Sequence, residues 1–323
     1  MKSLLNAAHF ANEDAAIEYV EARLWPHGPV CPHCGMVGEA TKMKGKTTRP
    51  GLWNCRVRGC RKQFTVKIGT VFESSHVPLH VWLQVIYLFS SSKKGLATRQ
   101  IQRTLGCSMK TAWFLGMRVR EAMTTLGTGP LGGDNEVVEI DETYVGGKEA
   151  NKHKSKRRTD GARGPVGKAP VVALVERDGR VRSFHVPNVT AQTLRPVIVA
   201  NVNKATYIMT DDSAVYPAIG REFSGHGSVN HSAGEYVRAT FWHTNTVENF
   251  FSIFKRGIYG CYFHVSEAHL QRYAAEFDFR HNHRERLGYD DLARADVALR
   301  GVVGKRLTYQ TTRRQERLDT PPF

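Results

Sequence analysis

The sequence lacks any apolar run approaching the ~18 residues that a membrane-spanning helix requires. Its start, Met1-Lys-Ser-Leu-Leu-Asn-Ala-Ala-His, turns polar too soon for a secretory leader. Both absences exclude a helical membrane protein and predict a soluble, intracellular one. Acids are scarce as well: 30 Asp and Glu stand against 46 Lys and Arg, a formal net charge of +16. A surface that basic favours a polyanionic partner, nucleic acid ahead of membrane or acidic protein. Cysteine is sparse, six in all, and unevenly placed: four lie between residues 31 and 60, while Cys107 and Cys261 stand alone. In an intracellular chain such close pairs predict metal ligands rather than disulfides. There is no internal repeat.

What is present suffices for a folded protein of more than one domain: 323 residues, 41% of them hydrophobic. The positive charge is clustered. Residues 42–67 hold nine Lys or Arg and no acid, and residues 148–168 hold eight against two acids.

Residues 1–25 predict a helix, most clearly over Ala11 to Leu24, stopped by Trp25-Pro-His-Gly-Pro. A turn-rich β module bounded by cysteines spans 26–72. Residues 78–126 are helical in pattern, broken at Ser90-Ser-Ser and at Gly106-Cys-Ser, and a Gly-rich linker follows. Beyond it the pattern is β-β-β-α-β-α, with strands over 136–145, 169–177, 181–187 and 206–211 and helices over 190–202 and 213–223. Arg177-Asp-Gly-Arg marks a hairpin. The basic stretch 148–168 is expected to be a surface loop or disordered.

Three constellations could carry chemistry. Cys31-Pro-His-Cys34 and Cys55-Arg-Val-Arg-Gly-Cys60 supply two close pairs, the donor set of a tetrahedral Zn²⁺ held between facing knuckles. Trp53 and Phe64 could cover so small a core, and the metal would supply much of its folding energy. Residues 95–113, with Leu96, Ile101 and Leu105 on one helix, Gly106 at the turn and a second helix carrying Lys110 and Arg118, resemble a helix-turn-helix. An ordinary helical hairpin is the other reading, and Cys107 would pack inside either. The third is a set of carboxylates. Asp141 and Asp211 lie on or at the end of strands. Glu248 lies on an amphipathic helix over His243 to Ile258, on a face with Asn245, Ser252 and Lys255, opposite Val247, Phe250, Phe251, Phe254 and Ile258. Three acids from two strands and a helix suit two Mg²⁺ or Mn²⁺ ions and phosphoryl transfer. Glu142 and Asp212 are expected to point away from their neighbours. Arg157 and Arg158 would be phosphate contacts or part of a solvated charge run. His231 and His243 could approach the site or be ordinary polar residues.

Ile140-Asp141-Glu142-Thr143-Tyr144-Val145-Gly146-Gly147-Lys148, Thr210-Asp211 with Tyr216, and His243-Thr-Asn-Thr-Val-Glu248-Asn-Phe-Phe251 resemble the DDE domain of the ISXO-like group of bacterial insertion-sequence transposases, whose members begin with a zinc ribbon. The resemblance covers about residues 10–285. It implies an RNase H-like α/β core with helices on both faces of a mixed sheet over 136–285, preceded by a zinc ribbon and a helix-turn-helix-like region, with 286–323 as a C-terminal tail. It places the family's metal-binding acids on Asp141, Asp211 and Glu248, and on Lys255 the lysine used near the target phosphate. The tyrosine at 216 selects Asp211 over Asp212. The implied function is a transposase that binds element ends, cleaves DNA and joins the 3′-hydroxyl to target DNA. Its partner would be double-stranded DNA bound by a homodimer or larger assembly, on the bacterial nucleoid in the cytoplasm. Two rivals follow from the same residues: a non-catalytic zinc-ribbon DNA-binding protein, and a nuclease that hydrolyses without joining.

Overall fold

A computed structural model describes residues 3–124, 129–147, 151–157, 167–229 and 242–308. The chain divides into two compact units. One comprises Met1–Ser92, Leu96–Met123 and Asp291–Phe323; the other comprises Lys93–Gly95 and Thr124–Asp290.

The first unit opens with a short helix α1 (Ala8–Ala11) and α2 (Glu13–Leu24), the latter capped by the Asn12 side chain, which accepts from the Ala15 amide. Three short antiparallel strands follow, β1 (Ala40–Lys42), β2 (Trp53–Cys55) and β3 (Gln63–Phe64). This ribbon is fastened to α2 by Glu21, whose carboxylate accepts from Trp53 Nε1 at 2.7 Å and Lys42 Nζ at 3.0 Å. Then come α3 (Leu79–Ser91), α4 (Thr98–Leu105) and α5 (Met109–Met123). Gly106 adopts the left-handed conformation that ends α4, and the Ser108 hydroxyl accepts from the Thr111 amide as α5 begins. Two helices joined at this turn are common to the helix-turn-helix and the helical-hairpin readings. The segment beyond 286, expected as a tail, instead contains a helix over Asp291–Arg300 that packs on α2, α3 and α5. Arg23 pairs with Asp296 at 2.6 Å and Arg294 donates to the Ser90 carbonyl at 2.7 Å.

The second unit is built on a five-stranded sheet: β4 (Val137–Val145), β5 (Ala169–Glu176), β6 (Val181–His185), β7 (Tyr207–Asp211) and β8 (Gly225–Val229), in spatial order β6-β5-β4-β7-β8. The first three strands are antiparallel, whereas β7 and β8 run parallel to β4. On one face α6 (Ala191–Asn201) and α7 (Tyr216–Gly220) bury Leu194, Ile198, Tyr216 and Ile219 against Val138, Ile140, Val172, Leu174 and Ile208. On the other, α8 (Asn245–Gly257) lies against β4 and β5, and α9 (Glu267–Asn282) lies along β6. A mixed sheet in this order with helices on both faces is the RNase H-like fold. With it, the helix at 291–300 is α10, the last among the described residues.

β6 is an edge strand, and α9 blunts it with side chains in place of a further strand. Gln271, Asp278 and Asn282 accept from the amides of His185, Ser183 and Val181 at 2.7–2.8 Å. The helix expected over 213–223 is confined to α7. β8 was not anticipated. Most of the basic stretch 148–168 falls outside the described residues.

Candidate active site and metal centre

In the ribbon, tight turns bring the cysteine pairs together: the Gly35 amide donates to the Cys31 carbonyl and the Cys60 amide to that of Val57. Cys31 Sγ lies 3.8 Å from Cys60 Sγ and Cys34 Sγ 3.7 Å from Cys55 Sγ. A tetrahedral zinc with Zn–S bonds of ~2.3 Å has S···S edges of about 3.8 Å. All four sulfurs lie within 4.8 Å of one another, and among the described residues no other group of three or more potential ligands does so. The donor set therefore fits a structural zinc. Trp25, Trp53 and Phe64 pack around it, as the sequence suggested for the last two. Burial raises the Cys55 thiol to about 12. Burial also acts on Cys31, but the amides of His33 and Cys34 and the neighbouring thiols outweigh it and hold Cys31 near 7.

The acids converge in the second unit. β4 presents Glu139, Asp141 and Thr143 to the α8 side and Ile140 and Glu142 to the α6–α7 side. Its parallel pairing with β7 is confined to Val137–Glu139 against Tyr207–Met209, so the acids lie beyond it, toward the carboxyl ends of both strands. The chain winds outward from β4 through β5 to β6 and then returns to β7, so this is the point of an open α/β sheet where strand order reverses and ligands bind.

A cleft of about 440 Å³ opens there, lined by Asp141, Glu142, Glu248, Phe251, Ser252, Lys255 and Arg256. Helix α8 behaves as its pattern predicts: Val247, Phe250, Phe251 and Phe254 are buried, while Glu248 in the first turn and Lys255 and Arg256 in the last are exposed. Asp211 is half-buried at the end of β7, its carboxylate accepting from the Ser213 amide, whereas Asp212 is exposed. Asp211 does not line the cleft, but its charge reaches both Asp141 and Glu142.

Burial pushes the Asp141 carboxyl up to about 7, and the negative charges of Glu142, Asp211 and Glu248 add to that rise. The Glu142 amide, donating to Asp141 Oδ1 at 2.7 Å, works against it. Glu142 is raised by burial and by Asp211, opposed by the Tyr216 hydroxyl, which donates to it at 2.5 Å. Burial and the same acids raise Tyr144. Buried carboxylates in mutual repulsion are the donors that a hard divalent cation stabilises. No three of them meet the 4.8 Å spacing of the cysteines, so the acid set is the more open of the two.

Glu142 departs from expectation. It does point to the opposite face from Asp141, yet both line the cleft, because the cleft lies at the end of the strand and draws on both faces. Arg118 also departs. Only 4% exposed, it donates from Nη1 to the carbonyls of Val71 (2.6 Å) and Glu73 (3.0 Å) and from Nε to that of Leu307 (3.1 Å). The guanidinium is spent on the interior of the first unit, which removes Arg118 from the DNA-contacting set. Lys110, near the start of α5, is exposed. Arg157 is exposed just after a single 3₁₀ turn (Lys154–Lys156), donating to the Lys152 carbonyl. Arg158 and His231 lie outside the described residues. Cys107 is half-buried rather than fully packed. Sequence reasoning missed Arg256, Tyr144, Glu139 and Arg177; for Glu139 the available signal was its spacing of two from Asp141, which puts both acids on one face of β4.

Two family models match the chain: an ISXO2-like transposase domain over residues 130–282 and a transposase zinc-ribbon domain over residues 11–63. An uncharacterized protein in transposable element ISH50 of Halobacterium salinarum is 26% identical over 285 residues, covering 84% of this chain and 91% of the relative. The first match holds every acid of the cleft and the second all four cysteines: the chain carries an ISXO2-like transposase domain preceded by a transposase zinc-ribbon domain.

Proposed function

We propose that the chain binds the ends of its insertion sequence, hydrolyses one DNA strand there and joins the freed 3′-hydroxyl to target DNA at the cleft between β4 and α8. The observation that carries this reading is the convergence of Asp141, Asp211 and Glu248 from two strands and a helix, with Lys255 and Arg256 along the same helix. Mg²⁺ or Mn²⁺ held by the three acids would supply activation of the attacking oxygen and charge stabilisation of the leaving one. The remaining work is positioning and electrostatics. Lys255 and Arg256, two turns from Glu248, offer cations to the phosphates flanking the scissile bond. Glu142, held by Tyr216, keeps a further negative charge beside Asp141, which makes cation binding more favourable.

Residues 26–72 and 78–126 supply the DNA grip, largely through phosphates, with Lys110 and Arg157 among the contacts. The chain would act as a homodimer or larger assembly on two DNA ends. Among the described residues no helix is long and apolar enough to cross a membrane. Pre-cleaved element ends incubated with a supercoiled target test the joining step: covalently joined products are expected, and hydrolysis without joining would reduce the protein to a nuclease.

A further inference from the structure

Behind the acids, one ion pair touches all three of the elements that carry them. Glu139, two residues before Asp141 on β4, is fully buried. Its Oε2 accepts from the amides of Thr246 (2.7 Å) and Val247 (3.0 Å), first-turn donors for which a helix supplies no acceptor of its own. Its Oε1 accepts from the Thr246 hydroxyl and from Arg177 Nε, both at 3.0 Å, and His243 Nδ1 stands 3.2 Å away. Arg177, at the β5–β6 hairpin, also donates from Nη2 to Met209 Sδ (2.9 Å) and to the His243 carbonyl (3.2 Å). Met209 lies two residues before Asp211 on β7, directly opposite Glu139. The pair thus grips β4 and β7 at matching positions one side-chain repeat behind Asp141 and Asp211. It also grips the first turn of α8 at Thr246 and Val247, the two residues before Glu248.

We propose that Glu139 and Arg177 are positioning residues that set the spacing of Asp141, Asp211 and Glu248, and with it the site's acceptance of Mg²⁺. This rests on the transposase reading given above. Neither residue lines the cleft. The physical argument is that the buried face of α8, Val247, Phe250, Phe251 and Phe254, packs by non-directional apolar contact. A carboxylate bonded to two successive helix amides fixes both the axial position and the rotation of the helix, hence where Glu248 points. Mg²⁺ demands near-ideal octahedral geometry, whereas a looser acid set still accommodates a more tolerant ion.

The test compares Arg177→Lys, Glu139→Gln and the milder Thr246→Val with wild type, and with Asp278→Asn, a buried acid at the β6 edge, as the structural control. Two readouts are needed: the Mg²⁺ concentration giving half-maximal cleavage, and Mn²⁺ affinity of the protein alone by electron paramagnetic resonance. Expected are an approximately 10–100-fold rise in the Mg²⁺ requirement for Arg177→Lys and Glu139→Gln, smaller for Thr246→Val, with weakened Mn²⁺ binding. Asp278→Asn should leave both unchanged. The proposal is overturned if folded variants keep the wild-type Mg²⁺ requirement and Mn²⁺ affinity, or if Asp278→Asn shifts them equally. Should Glu139→Gln fail to fold, Thr246→Val removes a single bond and still decides the matter. The Mn²⁺ titration needs no DNA, so a wild type that binds Mn²⁺ but never cleaves would sink the transposase reading and not the positioning claim.

Discussion

Replacing Asp141 with Asn should stabilise the Mg²⁺-free protein while abolishing its chemistry. The Asp141 carboxyl sits at about 7, against 3.8 for the ordinary group, because it is buried among other acids. Below about pH 4 it is neutral in both the folded and the unfolded chain, and Asp and Asn are equivalent. Between about 4 and 7 the unfolded chain ionises and the folded one does not, so stability falls with rising pH. Above 7 both are ionised and the whole penalty is present. Three pKa steps at ~1.4 kcal/mol each set an upper bound of about 4 kcal/mol, and solvent in the cleft lowers it to roughly 2–4 kcal/mol. Asn escapes that penalty at every pH. The assay is hydrogen exchange of β4 and β5 amides, which reads this unit by itself, in Mg²⁺-free buffer without chelator so that zinc is retained. At about pH 8.5 the slowest amides of Asp141→Asn should be protected about 30–1000-fold more than wild type, and the gap should vanish near pH 4. Saturating Mg²⁺ should close the gap at high pH by stabilising only the wild type. Equal protection at every pH, or a less protected variant at high pH, would refute the reasoning that burial and crowding strain this carboxylate.

Two other predictions concern the first unit. Purified protein should hold one zinc per chain, lost on Cys55→Ser, and a strong chelator should expose the ribbon to proteolysis while the sheet of the second unit stays protected; a ribbon indifferent to chelation would contradict the tetrahedral thiolate site. Arg118→Met should cost about 3 kcal/mol or more in stability, because it strands buried carbonyls, without changing the salt dependence of DNA binding. Lys110→Ala should do the reverse, lowering the slope of log affinity against log salt by about 1 with little effect on thermal stability. Swapped outcomes would restore Arg118 as a DNA contact.

Much of this site was legible because its elements are locally self-consistent. β5 is a run of Val, Ala and Leu, β4 and β7 begin with apolar or β-branched residues before their acids, and α8 separates apolar from polar residues cleanly enough to place Glu248 and Lys255 on one face before any fold is known. The cysteine spacing spoke for itself. β8 was hidden because Gly225-His-Gly-Ser-Val carries neither apolar alternation nor β-branched bulk. Its glycines are there for close approach: a Cβ at Gly227 would fall 1.9 Å from the Trp242 ring, and one at Gly225 2.6 Å from that of Tyr207. α10 looks like a tail in sequence because its partners are remote: Arg23 of α2 lies 273 residues from Asp296, and Ser90 of α3 lies 204 residues from Arg294. Arg118 misled because a long basic side chain on a recognition-type helix looks the same in sequence whether it meets a phosphate or three carbonyls. Arg177 gave no sequence signal, and Glu139 only its spacing of two from Asp141, because the pairing between them is created only by the closed sheet.

The most direct test of the central claim compares wild type with Glu248→Gln in a cleavage and joining assay, on DNA ends taken from the sequence flanking the gene, with Mg²⁺ or Mn²⁺. The substitution keeps the side chain's shape and its bond from the Thr244 hydroxyl, and removes one negative charge from the cleft. Metal-dependent 3′-hydroxyl ends and joined products, reduced at least about 100-fold in the variant while DNA binding persists, are the predicted result. Tight, salt-sensitive binding by wild type without any nicking would contradict it, leaving a DNA-binding protein whose acids serve the fold alone.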